Sequence, residues 1–169
     1  MEIVGDMVVT GSKDKTVAVS QIDPAGGPLQ LLSRYDELHS SVVKAVDLQA
    51  NGKVFASGSQ DRSVCVVDTR DVSTSRGRPQ IKLENCCEGG VYCAQFSPHP
   101  QEQHLLMTAG LDPVIKLWDL RYMKKQNSGV LSPSTSTGST GDASIPLFTF
   151  KGHCASGARL KSIVPPTFL

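Results

Sequence analysis

The residues able to do chemistry in this chain are dispersed, and their spacing excludes most catalysis. Its histidines are His39, His99, His104 and His153. None is paired with a glutamate in the HExxH spacing that holds zinc on a helix. No phosphate-cradling GxxxxGK[ST] loop, no GxGxxG and no GxSxG occurs. The cysteines, Cys65, Cys86, Cys87, Cys93 and Cys154, are odd in number and form no CxxC pair. They read as free thiols, with neither a disulfide frame nor a zinc site. Asp14, Asp61 and Asp112 stand one to a segment, which marks turns and not an acid–base pair. One pattern has binding chemistry. Asp68 and Arg70, and again Asp119 and Arg121, sit two residues apart. Arginine presents a planar fork of donors, and one fixed at a strand end makes a good interface anchor. An enzyme is therefore not expected, and no cofactor, metal or small-molecule substrate is implied.

The elements that carry these residues recur. VVTGSKDKTVAVSQI (8–22), FASGSQDRSVCVVDT (55–69) and LMTAGLDPVIKLWDL (106–120) align on Thr10, Ser57 and Thr108 and on the three aspartates. The spacing is 47 residues and then 51, a period typical of stacked or circular repeat architectures. Each unit predicts a strand (7–10, 54–57, 105–108), a turn (11–15, 58–62, 109–113) and a second strand of period two. On that second strand Val17/Val19, Val64/Val66 and Ile115/Leu117 share a face. In the turns glycine is expected to supply positive φ, and aspartate to bond its own backbone two residues on. Residues 41–53 and 89–100 predict a further strand before each pair, the first closed by Asn51-Gly52. PLQLLSRY (28–35) and PQIKLEN (79–85) predict outer strands, giving four per repeat.

With the repeat in place, the sequence resembles the WD-repeat family. The resemblance rests on Trp118-Asp119 preceded by Thr108 and Asp112, and on His39, Ser57 and Asp61 in the middle repeat, where Val67 replaces the tryptophan. The Gly-His position reads Leu38-His39, then Glu88-Gly89, then Gly152-His153. What the resemblance implies is an all-β fold, an incomplete β-propeller of about three four-stranded blades. It also implies a buried network of His, Ser/Thr, Asp and Trp within each blade. Here that network falls on Thr10 and Asp14; on His39, Ser57 and Asp61; on Thr108, Asp112 and Trp118; and on His153. No repeat holds all four members, and the middle one keeps three. The run Trp118-Asp119-Leu120-Arg121, echoed by Val67-Asp68-Thr69-Arg70, further resembles the box of substrate receptors of cullin–RING ubiquitin ligases. That likeness assigns adaptor contact to Asp119, Arg121, Asp68 and Arg70. The competing expectations are a scaffold in a chromatin or signalling complex, and a truncated form without independent function.

Composition bounds the rest. A net charge of +1 leaves no strong field to draw the whole chain to nucleic acid or a membrane, so protein partners are expected and direct nucleic-acid binding is not. The start MEIVGDMVV lacks the basic and apolar regions of a signal peptide, so an intracellular protein, nuclear or cytoplasmic, is expected. Repeat units, the first partial, are expected over 1–121. A flexible Ser/Thr/Gly-rich insertion follows at 122–146, with Ser132-Pro133 as a phosphorylation candidate, and a further truncated repeat starts at 147–169. This material does not close a ring, so a fragment or truncated form is expected, with a ring completed by another copy or an open arc as the alternatives.

Overall fold

A computed structural model describes residues 1–70, 79–123 and 145–152. His153, Cys154 and Ser132, most of the expected insertion and most of the last expected repeat lie outside the described residues. The described chain forms three antiparallel sheets of four strands. The first contains β1 (Glu2–Val4), β2 (Met7–Gly11), β3 (Val17–Gln21) and β4 (Gln30–Tyr35). The second contains β5 (Val43–Leu48), β6 (Val54–Ser59), β7 (Val64–Asp68) and β8 (Ile81–Leu83). The third contains β9 (Val91–Phe96), β10 (Leu105–Gly110), β11 (Val114–Asp119) and β12 (Phe148–Lys151). Each is an up-and-down meander in chain order, so every strand pairs with its sequence neighbour. This is the all-β, three-bladed arc of an incomplete propeller.

Two details depart from the sequence reading. A three-residue strand, β1, precedes Met7 and pairs with β2, so the first sheet has four strands. The chain after Arg121 is not all insertion: Leu120–Met123 form one helical turn, α1, that buries Leu120 and Met123.

Sheet stacking is set by the period-two alternation of β6 and β7. One face of the second sheet, through Phe55, Cys65 and Val67, packs on Val9, Val17, Val19 and Tyr35 of the first. Its other face, through Ala56, Val64, Val66, Ile81 and Leu83, packs on Leu106, Trp118 and Phe96 of the third. Apolar residues on both faces of one sheet read as the near-continuous runs VCVV and VFA, the mark of strands covered on both sides. The first strand of each sheet leans on the sheet before it: β5 lies against β1 and β2, and β9 against β5 and β6.

The expected role of the turn glycines is corrected. Gly11 and Gly58 are strand residues, and positive φ is found instead at Lys15 (77°) and Arg62 (71°). The glycines serve close approach. A Cβ on Gly58 would lie 2.6 Å from Cγ1 of Val91, and one on Gly11 would lie 2.5 Å from Cγ1 of Val43. Both contacts are with the first strand of the following sheet, so the missing side chains let successive sheets nest.

Candidate protein-binding site

The aspartates at the turns do what their spacing requires in two repeats. Asp14 Oδ1 accepts the Thr16 amide at 3.0 Å and the Thr16 hydroxyl at 2.7 Å. The Thr16 and Ser12 hydrogen bonds hold its carboxyl down at about 2. Asp61 Oδ1 likewise accepts the amide and hydroxyl of Ser63, at 3.0 and 2.7 Å. These Asx turns set the hairpin corners. Asp112 occupies the equivalent corner, but its Oδ1 is buried and accepts no hydrogen bond among the described residues.

The buried network is divided between two sheets. In the middle repeat, His39 Nε2 lies 2.8 Å from Ser57 Oγ, and its Nδ1 lies 3.1 Å from Ser63 Oγ and 3.3 Å from Asp61 Oδ2. Asp61 Oδ2 also accepts the Ser40 amide at 2.8 Å. Burial holds the His39 imidazole below its ordinary range, against the pull of Asp61, so the contact is a hydrogen bond to a neutral ring. Burial pushes the Asp61 carboxyl up, but donors from Ser63 and Ser40 outweigh it and keep the group ionised. In the third repeat, Trp118 Nε1 donates to Thr108 Oγ1 at 2.9 Å, and both residues are buried. The third repeat thus has the tryptophan half of the network and the middle repeat the histidine half. Thr10 lies half-buried on β2.

The Asp-x-Arg pairs are built alike and point outward. Arg70 Nε and Nη2 grip Asp68 at 2.9 and 2.6 Å, and the Arg70 amide binds Asp68 Oδ1 at 3.0 Å. Arg121 Nε and Nη2 grip Asp119 at 3.0 and 2.6 Å, and its amide binds Asp119 Oδ1 at 3.0 Å. The carboxylates are largely buried, while both arginine side chains are 62% exposed. The arginine fork beside it holds the Asp119 carboxyl below its ordinary range, and each aspartate raises its arginine further. Each pair stands at the end of the third strand of its sheet, so the sheet stacking sets two oriented guanidinium groups at equivalent corners of successive sheets. A guanidinium held by two bonds loses less freedom when it docks than a loose lysine would.

Sequence reasoning missed three members. Ser63 joins His39 to Asp61, and its signal was the Ser two residues after the turn acid. Asp47 Oδ2 accepts the Phe96 amide at 2.6 Å, tying the second sheet to the third. Its signal was a carboxylate in the otherwise apolar alternation of β5. Lys116 Nζ donates to the Cys86 carbonyl at 2.6 Å, and nothing in the sequence marked that bond. Burial lifts the Cys65 and Cys86 thiols to about 12, so they stay protonated and unreactive. No group of three or more His, Cys, Asp or Glu among the described residues is arranged to hold a metal ion. No helix among them is long and apolar enough to cross a membrane.

Comparison with known proteins agrees with this geometry. The family model for the WD domain, G-beta repeat, matches residues 30–68 and 77–119. Each match runs from the outer strand of one sheet through the first three strands of the next, so the sequence repeat straddles two sheets. The chain is 33% identical over 116 residues to the histone acetyltransferase type B subunit 2 of Eremothecium gossypii, covering 69% of this chain and 25% of that protein. It is 32% identical over 113 residues to actin-interacting protein 1 of Drosophila melanogaster, 66% of this chain and 16% of that one. It is 29% identical over 116 residues to pre-mRNA-processing factor 19 of Oryza sativa subsp. japonica, 69% of this chain and 20% of that one. The chain spans a quarter or less of the length of these relatives. A chain in a crystal structure of the mitotic checkpoint complex superposes with a TM-score of 0.59 at 20% identity, over 72% of this chain and 34% of that chain.

Proposed function

We infer the function from one premise: this chain belongs to the WD-repeat family. It is a non-catalytic scaffold that holds other proteins together. Its more specific role is that of a substrate receptor of a cullin–RING ubiquitin ligase, with the adaptor recognised by Arg70 and Arg121. The observation that carries this reading is the matched pair of forks, Asp68–Arg70 and Asp119–Arg121, each exposing its guanidinium at the end of a third strand. Exposed ion pairs contribute only about 0–1 kcal/mol to stability, so their exact repetition in two sheets is better explained by binding than by folding. The largely buried carboxylates Asp68 and Asp119 orient the arginines.

A pulldown of the ligase adaptor tests this. Wild type is expected to retain the adaptor, and Arg70→Ala combined with Arg121→Ala is expected to lose it while melting at nearly the same temperature. Retention that ignores both changes sinks the receptor reading. The second reading is a scaffold within a chromatin complex. It is favoured by the likeness to a histone acetyltransferase subunit over 69% of this chain. On that reading, partner binding is indifferent to the two arginines.

A further inference from the structure

Register gives the two forks a counterpart on the first sheet. Asp68 pairs with Val54 and Asp119 with Leu105, the first residue of each second strand. Met7 opens the second strand of the first sheet, and it pairs with Gln21. Gln21 therefore stands where the fork carboxylates stand. Asp23, two residues on, stands where Arg70 and Arg121 stand. The first corner carries the opposite charge at the position of the guanidinium groups.

A second position repeats the reversal. One residue before each second strand, a backbone carbonyl accepts an amide from just beyond the third strand. Asp6 accepts from Ile22 at 2.7 Å, Lys53 from Thr69 at 2.9 Å and His104 from Leu120 at 2.9 Å. These bonds make Asp6, Lys53 and His104 equivalent. The rim carries Asp6 and Asp23 on the first sheet, Lys53 and Arg70 on the second, and His104 and Arg121 on the third.

Local structure accounts for the shape of the first corner but not for its charge. Asp68 and Asp119 close an Asx turn on the amides of Arg70 and Arg121. In the first sheet that turn moves two residues on, and Asp23 Oδ1 accepts the Ala25 amide at 2.9 Å. Gln21 Nε2 donates to Asp6 Oδ2 at 2.5 Å. An asparagine oxygen would accept either bond. Both groups are instead carboxylates, Asp6 exposed and Asp23 half-buried, and neither has a cationic partner among the described residues. Beside them, within residues 21–30, a cavity of about 490 Å³ is lined by Gln21, Asp23, Pro24, Pro28 and Leu29. A carboxylate among apolar walls fits a long side chain with an apolar stem and a cationic head.

We propose, on the receptor reading, that Asp6 and Asp23 continue the surface of the two forks and take a lysine or arginine of the adaptor, while Arg70 and Arg121, with Lys53 beside them, take its acidic groups. Three corners alike in backbone and unlike in charge admit one register. An adaptor shifted by one sheet would set its basic group against Arg70, and like charges brought together reject that pose.

Calorimetric titration of the purified ligase adaptor tests this with Asp6→Asn combined with Asp23→Asn, a change that keeps both hydrogen bonds and removes only the charges. The double variant is expected to melt at nearly the wild-type temperature and to bind about three- to tenfold more weakly at low salt. Near 1 M salt, where screening acts within about 3 Å, the difference is expected to vanish. Asp6→Lys, which reverses an exposed charge, is expected to weaken binding further. Wild-type or tighter affinity in the double variant, alongside lost binding in Arg70→Ala combined with Arg121→Ala, would overturn this proposal and leave the receptor reading standing. Wild type that does not bind, or binding indifferent to both arginines, would overturn the two together.

Discussion

At the scale of single residues, the account rests on buried polar atoms and what each is bonded to. His39 ties Ser57, Ser63 and Asp61 together inside the second sheet. Its replacement by alanine leaves three polar partners short of a bond, and is expected to cost about 2–3 kcal/mol in urea denaturation. Two groups give stability an opposing dependence on pH. His39 has a folded pKa below its ordinary 6.5, so the folded state binds fewer protons there. Its contribution is complete above that pH and is lost as pH falls. Asp47 is pushed by burial from 3.8 to about 6, so the folded state holds the extra proton. That contribution is complete below about pH 4 and is lost as pH rises through 6. Asp47→Asn is therefore expected to flatten the fall in melting temperature between pH 4 and 6, and His39→Gln to lessen the loss that sets in as pH falls below 6.5, leaving the loss at lower pH that Asp14, Asp61 and Asp119 cause. A melting curve for Asp47→Asn that keeps the wild-type slope would show that another group titrates there.

At the scale of elements, much was legible because the repeat is written in short-range chemistry. Asp14 and Asp61 bond two residues ahead, so their spacing located the hairpins without any tertiary information. Trp118 found Thr108 across the sheet because they lie on neighbouring strands of one meander. What failed was long-range. The glycines of the turns looked like positive-φ residues, yet Gly58 is extended and is glycine because Val91 of the next sheet passes over it. Only the stacked sheets reveal that approach. The spacing makes Asp112 the equal of Asp61, but Val114 stands where Ser63 gives Asp61 a hydroxyl, and Asp112 Oδ1 is buried and accepts no hydrogen bond among the described residues. The same long-range origin explains why Asp47 was missed: its partner lies 49 residues away on another sheet. Gly58→Ala tests the nesting. It is expected to destabilise by about 1–3 kcal/mol through overpacking against Val91. An unchanged urea midpoint would mean that the sheets give way at little cost.

At the scale of the whole molecule, stacking puts the two Asp-x-Arg forks at matching corners, and the receptor reading depends on that placement. The carboxylates Asp68 and Asp119 contribute by aiming the guanidinium groups, so their removal should weaken binding less than removal of the arginines themselves. The most direct measurement is a calorimetric titration of the purified ligase adaptor into wild type, Arg70→Ala, Arg121→Ala and Asp119→Ala. The account predicts an affinity loss of about tenfold or more for each arginine, in line with an interface hot spot of 1–2 kcal/mol or above, and a smaller loss for Asp119→Ala. Equal affinity for wild type and both arginine variants would contradict it.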